Sequence, residues 1–301
     1  MLWKVVIMNK KISNLSLILT KACNLHCKYC YYNDSYYNNN GTMYLDIDKF
    51  QDFVKNNNIS VKLIYITGGE PLLHKNFMQF VELSCRIAEK VIVATNGTLL
   101  SYEKAKKLRD NNVGLNISVD SLDKEYINSV RGQYDAVFKT LDMLYQMEYK
   151  DVKLTPTVTS QNLNMIDDLC AYCTDREWEI EISFVEIERN NSLSLHHADI
   201  DKLRHIININ ANKVAVNLND KYVYGLYVEE LILKEHPKLF LRKCYSAENN
   251  LVIDTDGKIY ACFHDKNEIG TMEDDIDKII ESKRNYLENK NFVECMRIGC
   301  L

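Results

Sequence analysis

Between Leu15 and Phe184, short β-rich runs alternate with amphipathic helical stretches. The helical stretches place apolar residues at i, i+3 and i+4 spacing, which is typical of helices that bury one face. Strands that alternate with such helices predict βαβ units and a parallel sheet. Because the crossovers are right-handed, six units are expected to curl into an open or partial barrel, with its chemistry at the carboxyl ends of the strands. The predicted strands are residues 15–19, 61–66, 91–95, 115–119, 152–158 and 179–184.

The pattern changes beyond Asn190. Two helical stretches follow, the dipeptide Asp256-Gly257 predicts a hairpin over residues 251–262, and residues 276–290 predict a further helix. We therefore expect an α/β chain in three parts. These are an N-terminal extension (residues 1–13), a partial (β/α)6 barrel (residues 14–190) and a small α+β domain with bridging helices (residues 191–301).

Ten cysteines stand out in a chain of 301 residues that shows no export signal. In a reducing cytoplasm, where we expect this protein, cysteines remain thiols, so their number indicates metal binding or catalysis rather than disulfides. The net charge of −5 leaves no broad basic face for a nucleic-acid backbone. No run approaches the roughly 20 apolar residues of a membrane span. We therefore expect neither nucleic acid nor a membrane among the partners.

The first cysteine group, Cys23-x3-Cys27-x2-Cys30, directly follows the first predicted strand. It is therefore expected on the first βα loop of the barrel. Three thiolates can hold three irons of a [4Fe–4S] cube, and the missing fourth ligand leaves one iron open to a chelating substrate. The alternative is a structural zinc site, which needs four ligands and would take His26 as the fourth.

This motif, with the aromatic Tyr29 just before its third cysteine, resembles the signature of the radical S-adenosylmethionine (SAM) superfamily. The resemblance implies the partial barrel of that superfamily and a catalytic [4Fe–4S] cluster on Cys23, Cys27 and Cys30. It also implies that SAM chelates the open iron and is cleaved to methionine and a 5′-deoxyadenosyl radical, which takes a hydrogen atom from the substrate. Tyr29 would contact the adenine of SAM.

Two further segments at predicted strand ends resemble SAM-binding motifs of the same superfamily. Gly68-Gly69-Glu70-Pro71 resembles the GGEP motif, whose counterpart holds the methionine amino group. Its two glycines allow close backbone approach to a ligand, and Glu70 offers a carboxylate to an ammonium group. Thr95-Asn96-Gly97 resembles the TNG turn, which adds Asn96 to the implied pocket.

The two next strand ends complete the implied pocket. Ser118-Val119-Asp120 and the later Arg131 resemble the segment whose Ser contacts the ribose and the Arg that pairs with the SAM carboxylate. An Arg fork suits a carboxylate bidentately, while an Arg alone on a loop also fits a solvated charge. Val158 matches the position where the family packs an apolar residue on adenine, and it equally fits the protein core.

A second cysteine group, near the end of the sequence, comprises Cys244, Cys262, Cys295 and Cys300. Four thiolates are enough to close a second [4Fe–4S] cube. The segment before Cys295 resembles the linker of SPASM and twitch domains, which are auxiliary-cluster extensions of radical SAM enzymes, and four cysteines fit the smaller twitch form. The spacing Cys295-x4-Cys300 is wider than that family commonly shows. Whether both ligate one cluster therefore stays open, and a zinc ribbon-like knot is the alternative.

Three cysteines belong to neither group. Cys170 and Cys173 form a Cys-x2-Cys pair, which invites a redox interpretation. They share one face of a predicted helix with apolar neighbours, and Cys85 lies in another predicted helix. We therefore expect all three to be core thiols.

The resemblance covers nearly the whole chain and implies an enzyme. The opening Cys-x3-Cys-x2-Cys-Tyr-Tyr favours a peptide maturase that forms crosslinks, epimerises residues or oxidises side chains. Such an enzyme would take a peptide substrate and a flavodoxin- or ferredoxin-type reductant. Since there is no room before residue 14 for a leader-recognition domain, a separate recognition protein or direct recognition would serve.

Two alternatives stay open for the function. The first is a small-molecule dehydrogenase of the twitch type, for example one acting on an aminocyclitol. The second is a catalytically silent iron–sulfur or zinc protein. The GGEP segment and Arg131 argue against a silent protein, because a structural metal site needs no SAM pocket.

Overall fold

The computed structural model describes residues 10–30, 44–185, 192–199, 201–202, 204–206, 250–263 and 267–289. Their strands are β1 Lys10–Ile18, β2 Ile59–Thr67, β3 Ala88–Thr95, β4 Gly114–Ile117, β5 Val152–Leu154, β6 Thr157–Val158, β7 Glu179–Ile180, β8 Ser183–Phe184, β9 Asn250–Ile253, β10 Lys258–Tyr260 and β11 Glu268–Thr271. Their α-helices are α1 Ile47–Asn57, α2 Phe77–Ile87, α3 Tyr102–Asp110, α4 Lys124–Val130, α5 Tyr134–Gln146, α6 Ile166–Asp175 and α7 Ile276–Asn289.

The strands form one open sheet in the order β11-β10-β9-β1-β2-β3-β4-β5-β7. The run from β1 to β7 is parallel throughout, which confirms the predicted βαβ architecture. Beside it, β6 and β8 pair with each other in parallel. The carboxyl ends of the parallel strands therefore meet along one edge, where the predicted functional segments lie.

The helices cover one face of this sheet. Phe50 of α1 and Phe80 of α2 are fully buried, with their ring centroids 5.7 Å apart, and they share a core with Ile64 and Ile66 of β2. Loss of one buried Phe side chain in such a core costs about 3–5 kcal/mol, so these contacts hold the sheet edge in place. In the described ranges, no helix is long and apolar enough to cross a membrane.

Several elements differ from the predicted ones. β1 begins at Lys10, before the predicted start of the barrel. The predicted strand over 152–158 is divided into β5 and β6, because Pro156 between them lacks the N–H that a sheet ladder needs. The last predicted strand is likewise divided into β7 and β8. The seven-residue helix α4 is too short for its periodicity to predict, although Asp123 caps it by accepting a hydrogen bond from Tyr126 N (2.7 Å).

The predicted hairpin at Asp256-Gly257 is confirmed as β9 and β10, which pair antiparallel. β9 also pairs in parallel with β1, from Asn14 opposite Asn250 to Leu17 opposite Ile253. The sheet therefore continues from the barrel strands into the hairpin. The domain boundary near residue 190 stays a prediction, since residues 186–191 lie outside the described residues.

Candidate active site

The cysteine loop (residues 19–30) leaves the carboxyl end of β1 and carries Cys23, Cys27 and Cys30. All three side chains are half-buried. A hydrogen bond from Cys30 N to Cys27 O (3.0 Å) closes a turn between the last two. Burial raises the pKa of Cys23, and it raises that of Cys27 to about 11. Because only thiolates ligate iron, metal binding here has to displace protons.

Three thiols on one loop match the donor set of a [4Fe–4S] cube with one open iron. The zinc alternative would take His26 as its fourth ligand, but the His26 side chain is exposed to solvent. Within the described part of the chain, no three His, Cys, Asp or Glu side chains are grouped to hold one metal ion. A cube spreads its thiolates over three separate irons, so the donors of this loop fit the cluster better than zinc.

Gly68 and Gly69, at the end of β2, lie against the backbone of the cysteine loop. Gly69 N donates a hydrogen bond to Thr20 O (2.7 Å), and Glu70 N donates to Ala22 O (2.8 Å). A Cβ on Gly68 would lie 2.4 Å from Thr20 O, and one on Gly69 would lie 2.3 Å from Ala22 O. The close contact between this segment and the backbone of the cysteine loop therefore requires glycine at both positions, because any side chain would collide with the loop. Their predicted contact with SAM stays a prediction.

Glu70 is fully buried between the ends of β2 and β3. Its carboxylate accepts hydrogen bonds from Thr95 Oγ1 (2.7 Å), Asn96 N (2.8 Å) and Leu72 N (3.1 Å). Burial raises the pKa of Glu70 in spite of these donors. The carboxylate thus ties two strand ends together. The predicted contact with the SAM amino group would come in addition to these three bonds.

Asn96 connects the end of β3 to the cysteine loop. Its Nδ2 donates to Asn24 Oδ1 (2.9 Å) and lies 3.9 Å from Cys23 Sγ. Its Oδ1 accepts from Thr98 Oγ1 (2.7 Å), and Thr98 Oγ1 in turn accepts from Asn24 Nδ2 (2.8 Å). This closed ring of three side chains fixes Asn96 beside the first cysteine. The sequence motif identified Asn96 but gave no sign of Asn24 or Thr98.

Asp120, just beyond β4, is the fully buried centre of a second network. One carboxylate oxygen accepts from Arg131 Nε (2.7 Å) and from the Tyr29 hydroxyl, and the other accepts from Thr157 N (2.8 Å). Asp120 therefore joins the cysteine loop, the end of α4 and β6. Sequence reasoning quoted Asp120 within its segment but gave it no role. The feature of the sequence that could have indicated a role is the position of this carboxylate just after a buried strand.

Arg131 lies inside the site and is only 11% exposed, so the alternative of a solvated charge is wrong. Its guanidinium lies 5.5 Å from the centroid of the Tyr29 ring. Among the described residues, no acceptor binds its terminal nitrogens, since the pairing with Asp120 uses Nε. Those nitrogens remain for a ligand, and the predicted contact with the SAM carboxylate stays a prediction.

A narrow crevice with a volume of about 10 Å³ lies at this edge of the sheet. It brings together three residues that the sequence assigned to SAM from separate segments, namely Asn96, Ser118 and Arg131. Leu25 of the cysteine loop lines the same crevice, so the loop and the three side chains share one space. Val158 is fully buried in the main core, and its predicted contact with adenine stays a prediction.

Of the second cysteine group, the described residues include Cys262, which is half-buried and follows β10. The hairpin that carries it lies beside the cysteine loop, because Cys30 packs against Ile18 of β1 and Val252 of β9. Whether the group holds one cluster stays a prediction. Its other members lie outside the described residues: Cys244, Cys295 and Cys300.

Cys170 and Cys173 of α6 are confirmed as core thiols. They are 3% and 0% exposed and belong to the main hydrophobic core. Burial raises the pKa of each to about 12, which keeps both protonated and unreactive at neutral pH. Cys85 of α2 is half-buried and packs against the same core.

The sequence model of the Radical SAM superfamily matches residues 17–173, which is more than half of the chain. By sequence, the chain is similar to GTP 3',8-cyclases. The enzyme of Helicobacter pylori (strain ATCC 700392 / 26695) is 29% identical over 297 residues, covering 93% of this chain and 89% of the relative. That of Pasteurella multocida (strain Pm70) is 26% identical over 266 residues, covering 82% and 77%.

By structure, the chain is similar to anSMEcpe with bound AdoMet and Cp18Cys peptide, with a TM-score of 0.68 at 20% identity over 93% of this chain and 83% of that one. Streptococcus suis SuiB gives a TM-score of 0.67 at 14% identity over 89% and 65%. At these identities the likeness concerns the fold. It confirms the predicted partial barrel with a parallel sheet.

The expectation of a peptide maturase is wrong. The curated sequence relatives are GTP 3',8-cyclases, which the name itself says act on a small molecule. The error has a chemical reason, because the cysteine signature and its aromatic describe how a cofactor is held and contain no information about the substrate. What the family match supports is an enzyme with SAM and one [4Fe–4S] cluster. The chain belongs to the radical SAM superfamily.

Proposed function

We propose that this chain is a radical SAM enzyme that holds a [4Fe–4S] cluster on Cys23, Cys27 and Cys30 and binds SAM beside it. The observation that carries the proposal is the convergence of Asn96, Ser118 and Arg131 around the narrow crevice at the cysteine loop. Its polar side chains come from the ends of β3, β4 and α4, which the fold has to bring together. A structural metal site would need the cysteines alone.

The described residues have distinct tasks in this proposal. When bound and reduced, the cluster supplies the electron that cleaves SAM to methionine and a 5′-deoxyadenosyl radical, which removes a hydrogen atom from the substrate. Arg131 offers its terminal nitrogens to the SAM carboxylate while Asp120 holds its Nε (2.7 Å). Ser118 supplies a hydroxyl to the same crevice, and Tyr29 is held in place through its own bond to Asp120.

We propose that the substrate is a small molecule. The support is that GTP 3',8-cyclases align with most of this chain and with most of their own length. The probable GTP 3',8-cyclase of Methanococcus aeolicus, for example, is 25% identical over 96% of this chain and 95% of its own. GTP is therefore the first compound to test. A flavodoxin- or ferredoxin-type protein is the proposed reductant, since each cleavage of SAM consumes one electron.

A second [4Fe–4S] cluster on Cys244, Cys262, Cys295 and Cys300 is part of the proposal. Four thiolates leave no iron open, so this cluster would not chelate the substrate. Its proposed role is to accept the electron that a substrate radical loses when it becomes a closed-shell product. The support is the position of Cys262 after the hairpin that lies beside the cysteine loop.

Anaerobic reconstitution followed by a SAM cleavage assay tests the proposal. We expect about eight irons and eight sulfides per chain, and dithionite-dependent formation of 5′-deoxyadenosine that GTP or another small molecule increases. About four irons would remove the second cluster. Zinc in place of iron, or intact cluster without SAM cleavage, would contradict the proposed function. Cys85→Ala is the matched control, because it removes a thiol far from the cysteine loop in sequence and should keep both results.

A further inference from the structure

The side-chain amide of Asn96 lies next to the sulfur of the first proposed cluster ligand. Its Nδ2 is 3.9 Å from Cys23 Sγ, a donor–acceptor distance that the large sulfur atom still permits. The backbone N–H of Leu25 donates to the same sulfur at 3.4 Å. Cys23 Sγ therefore receives two N–H groups, one from its own loop and one from the segment just beyond β3.

The partners of the Asn96 amide determine which of its two ends faces the sulfur. Thr98 N donates a hydrogen bond to Asn96 Oδ1 (2.9 Å), and a backbone N–H can only donate. The amide oxygen therefore faces Thr98, and the NH2 group faces Cys23. A flipped amide would place two donors against each other at Thr98, which is costly for a residue that is only 7% exposed.

The NH2 group of Asn96 has two hydrogens and two partners. One N–H donates to Asn24 Oδ1 (2.9 Å), which leaves the other for Cys23 Sγ. Asn24 is held in turn, because its Nδ2 donates to Thr98 Oγ1 (2.8 Å). The backbone N–H of Asn96 donates to the buried Glu70 Oε2 (2.8 Å). The donor is thus positioned by the protein itself, before any ligand binds.

A hydrogen-bond donor at a ligand sulfur affects how easily an iron–sulfur cluster is reduced. Reduction adds one electron, and part of the added negative charge resides on the sulfurs. The partial positive charge of an N–H group stabilises the reduced cluster more than the oxidised one, so it raises the reduction potential. Low solvent exposure of the donor strengthens this effect, because little water screens it.

We propose that Asn96 raises the reduction potential of the [4Fe–4S] cluster by donating an N–H···S hydrogen bond to the Cys23 thiolate. This rests on the proposed function and specifies how the protein controls its electron-transfer step. The step takes one electron from the flavodoxin- or ferredoxin-type reductant and forms or breaks no bond. Asn96 acts through Cys23 and is therefore a positioning residue. Its effect on the potential is separate from the SAM contact implied by the TNG resemblance, because it is present without SAM.

Redox titration of the anaerobically reconstituted protein without SAM, followed by electron paramagnetic resonance of the reduced cluster, tests the proposal. For Asn96→Ala, we expect the equilibrium constant of one-electron reduction to be about tenfold smaller than in wild type, which is a potential about 59 mV lower. SAM added to the wild type after the titration identifies the signal of the first cluster, since only a cluster with an open iron binds SAM.

A second substitution separates the hydrogen bond from a structural role. Asn96→Asp keeps the size of the side chain and the oxygen that Thr98 N needs, but it has no N–H group. It should lower the potential at least as much as Asn96→Ala, and it replaces that variant if the alanine protein assembles no cluster. A purely structural Asn96 would change the amount of cluster and leave the potential of the assembled cluster unchanged. The matched control is Asn111→Ala, which removes an exposed amide bonded to Lys107 O and should keep the wild-type potential.

An unchanged or raised potential in either Asn96 variant that assembles the cluster would overturn the proposal, and so would an equal fall in Asn111→Ala. Iron content and formation of 5′-deoxyadenosine are measured on the same wild-type preparation. If the wild type cleaves SAM and the potentials of wild type and variants agree, the role of Asn96 is wrong and the proposed function stands. If the wild type assembles no cluster or does not cleave SAM, the proposed function itself fails, and this inference fails with it.

Discussion

Two pairs of carboxylates, Glu70 with Asp120 at the rim of the site and Glu179 with Glu181 beside Lys153, are held in opposite ways. At the rim, Glu70 and Asp120 are fully buried, and each accepts three hydrogen bonds from the protein. By contrast, Glu179 and Glu181 are about half exposed and share Lys153 as their partner. Both pairs lie along the same parallel sheet, so the difference does not come from the architecture of the sheet.

Solvent access explains the difference. A buried carboxylate that lacks donors is costly, so Glu70 and Asp120 are stable at the rim because their bonds are complete. A half-exposed carboxylate keeps water as a partner and can exchange it for a ligand at small cost. Glu70 and Asp120 therefore form a fixed frame around the cysteine loop, whereas Glu179 and Glu181 remain open to water. Four predictions test this contrast.

The largest effect is expected at the cysteine loop itself. Replacing Cys23, Cys27 and Cys30 together by Ala removes every thiolate of the proposed first cluster, so dithionite-dependent 5′-deoxyadenosine should disappear completely. Product analysis by chromatography measures this loss. A triple variant that still cleaves SAM would show that these three cysteines do not hold the catalytic cluster.

Asp120→Asn is expected to cost about 3–5 kcal/mol of the free energy of unfolding, because it leaves the buried Arg131 without its counter-charge. Denaturant unfolding measures the loss. The control is Asp135→Asn at an exposed pair with Lys124, which should change stability by less than about 1 kcal/mol. Equal effects in the two variants would remove the distinction between a buried frame and the surface.

Glu70→Gln is expected to cost about 1–3 kcal/mol near neutral pH, because the amide NH2 meets a backbone or hydroxyl donor where the carboxylate accepted one. Burial raises the pKa of Glu70 above the ordinary 4.5, so the folded state binds this proton more tightly than the unfolded state. Its contribution to stability is therefore present below pH 4.5 and is lost as pH rises through the raised pKa. The free energy of unfolding, measured as a function of pH, should show this fall in the wild type and not in the Glu70→Gln variant.

Glu181→Gln should change the free energy of unfolding by less than about 1 kcal/mol, because an ion pair with a half-exposed partner contributes little to stability. The same denaturant series measures it. This is the smallest expected effect. A loss of unfolding free energy as large as that of Asp120→Asn would show that Glu181 stabilises the fold as strongly as the buried Asp120 does.

The sequence predicts the parts of the fold that depend on local periodicity. The six barrel strands and the hairpin at Asp256-Gly257 were found because alternating patterns and turn residues are written within a few neighbouring positions. Interruptions such as Pro156 shifted the boundaries. The helix α4 was missed because seven residues give too few turns to show a period.

The networks of the site could not be predicted in this way. Tyr29 and Asp120 are 91 residues apart, and no spacing rule connects them. Motif resemblance placed Glu70 and Arg131 at the site but described them as ligands of SAM, while the structure shows the protein bonds that each already makes. The substrate was beyond the reach of the cysteine motif, since that motif concerns the cofactor.

The pairing of β9 with β1 fixes the order in which this sheet is completed during synthesis. Ser16 and Asn250, whose side chains bond across that pair, are 234 residues apart. At about 5–20 residues per second, Asn250 leaves the ribosome roughly 12–50 s after Ser16. Throughout that interval β1 has one bare edge, and Cys30 lacks the cover of Val252. The nascent chain is thus most exposed to strand-edge association during the same period in which its cysteine loop is most open.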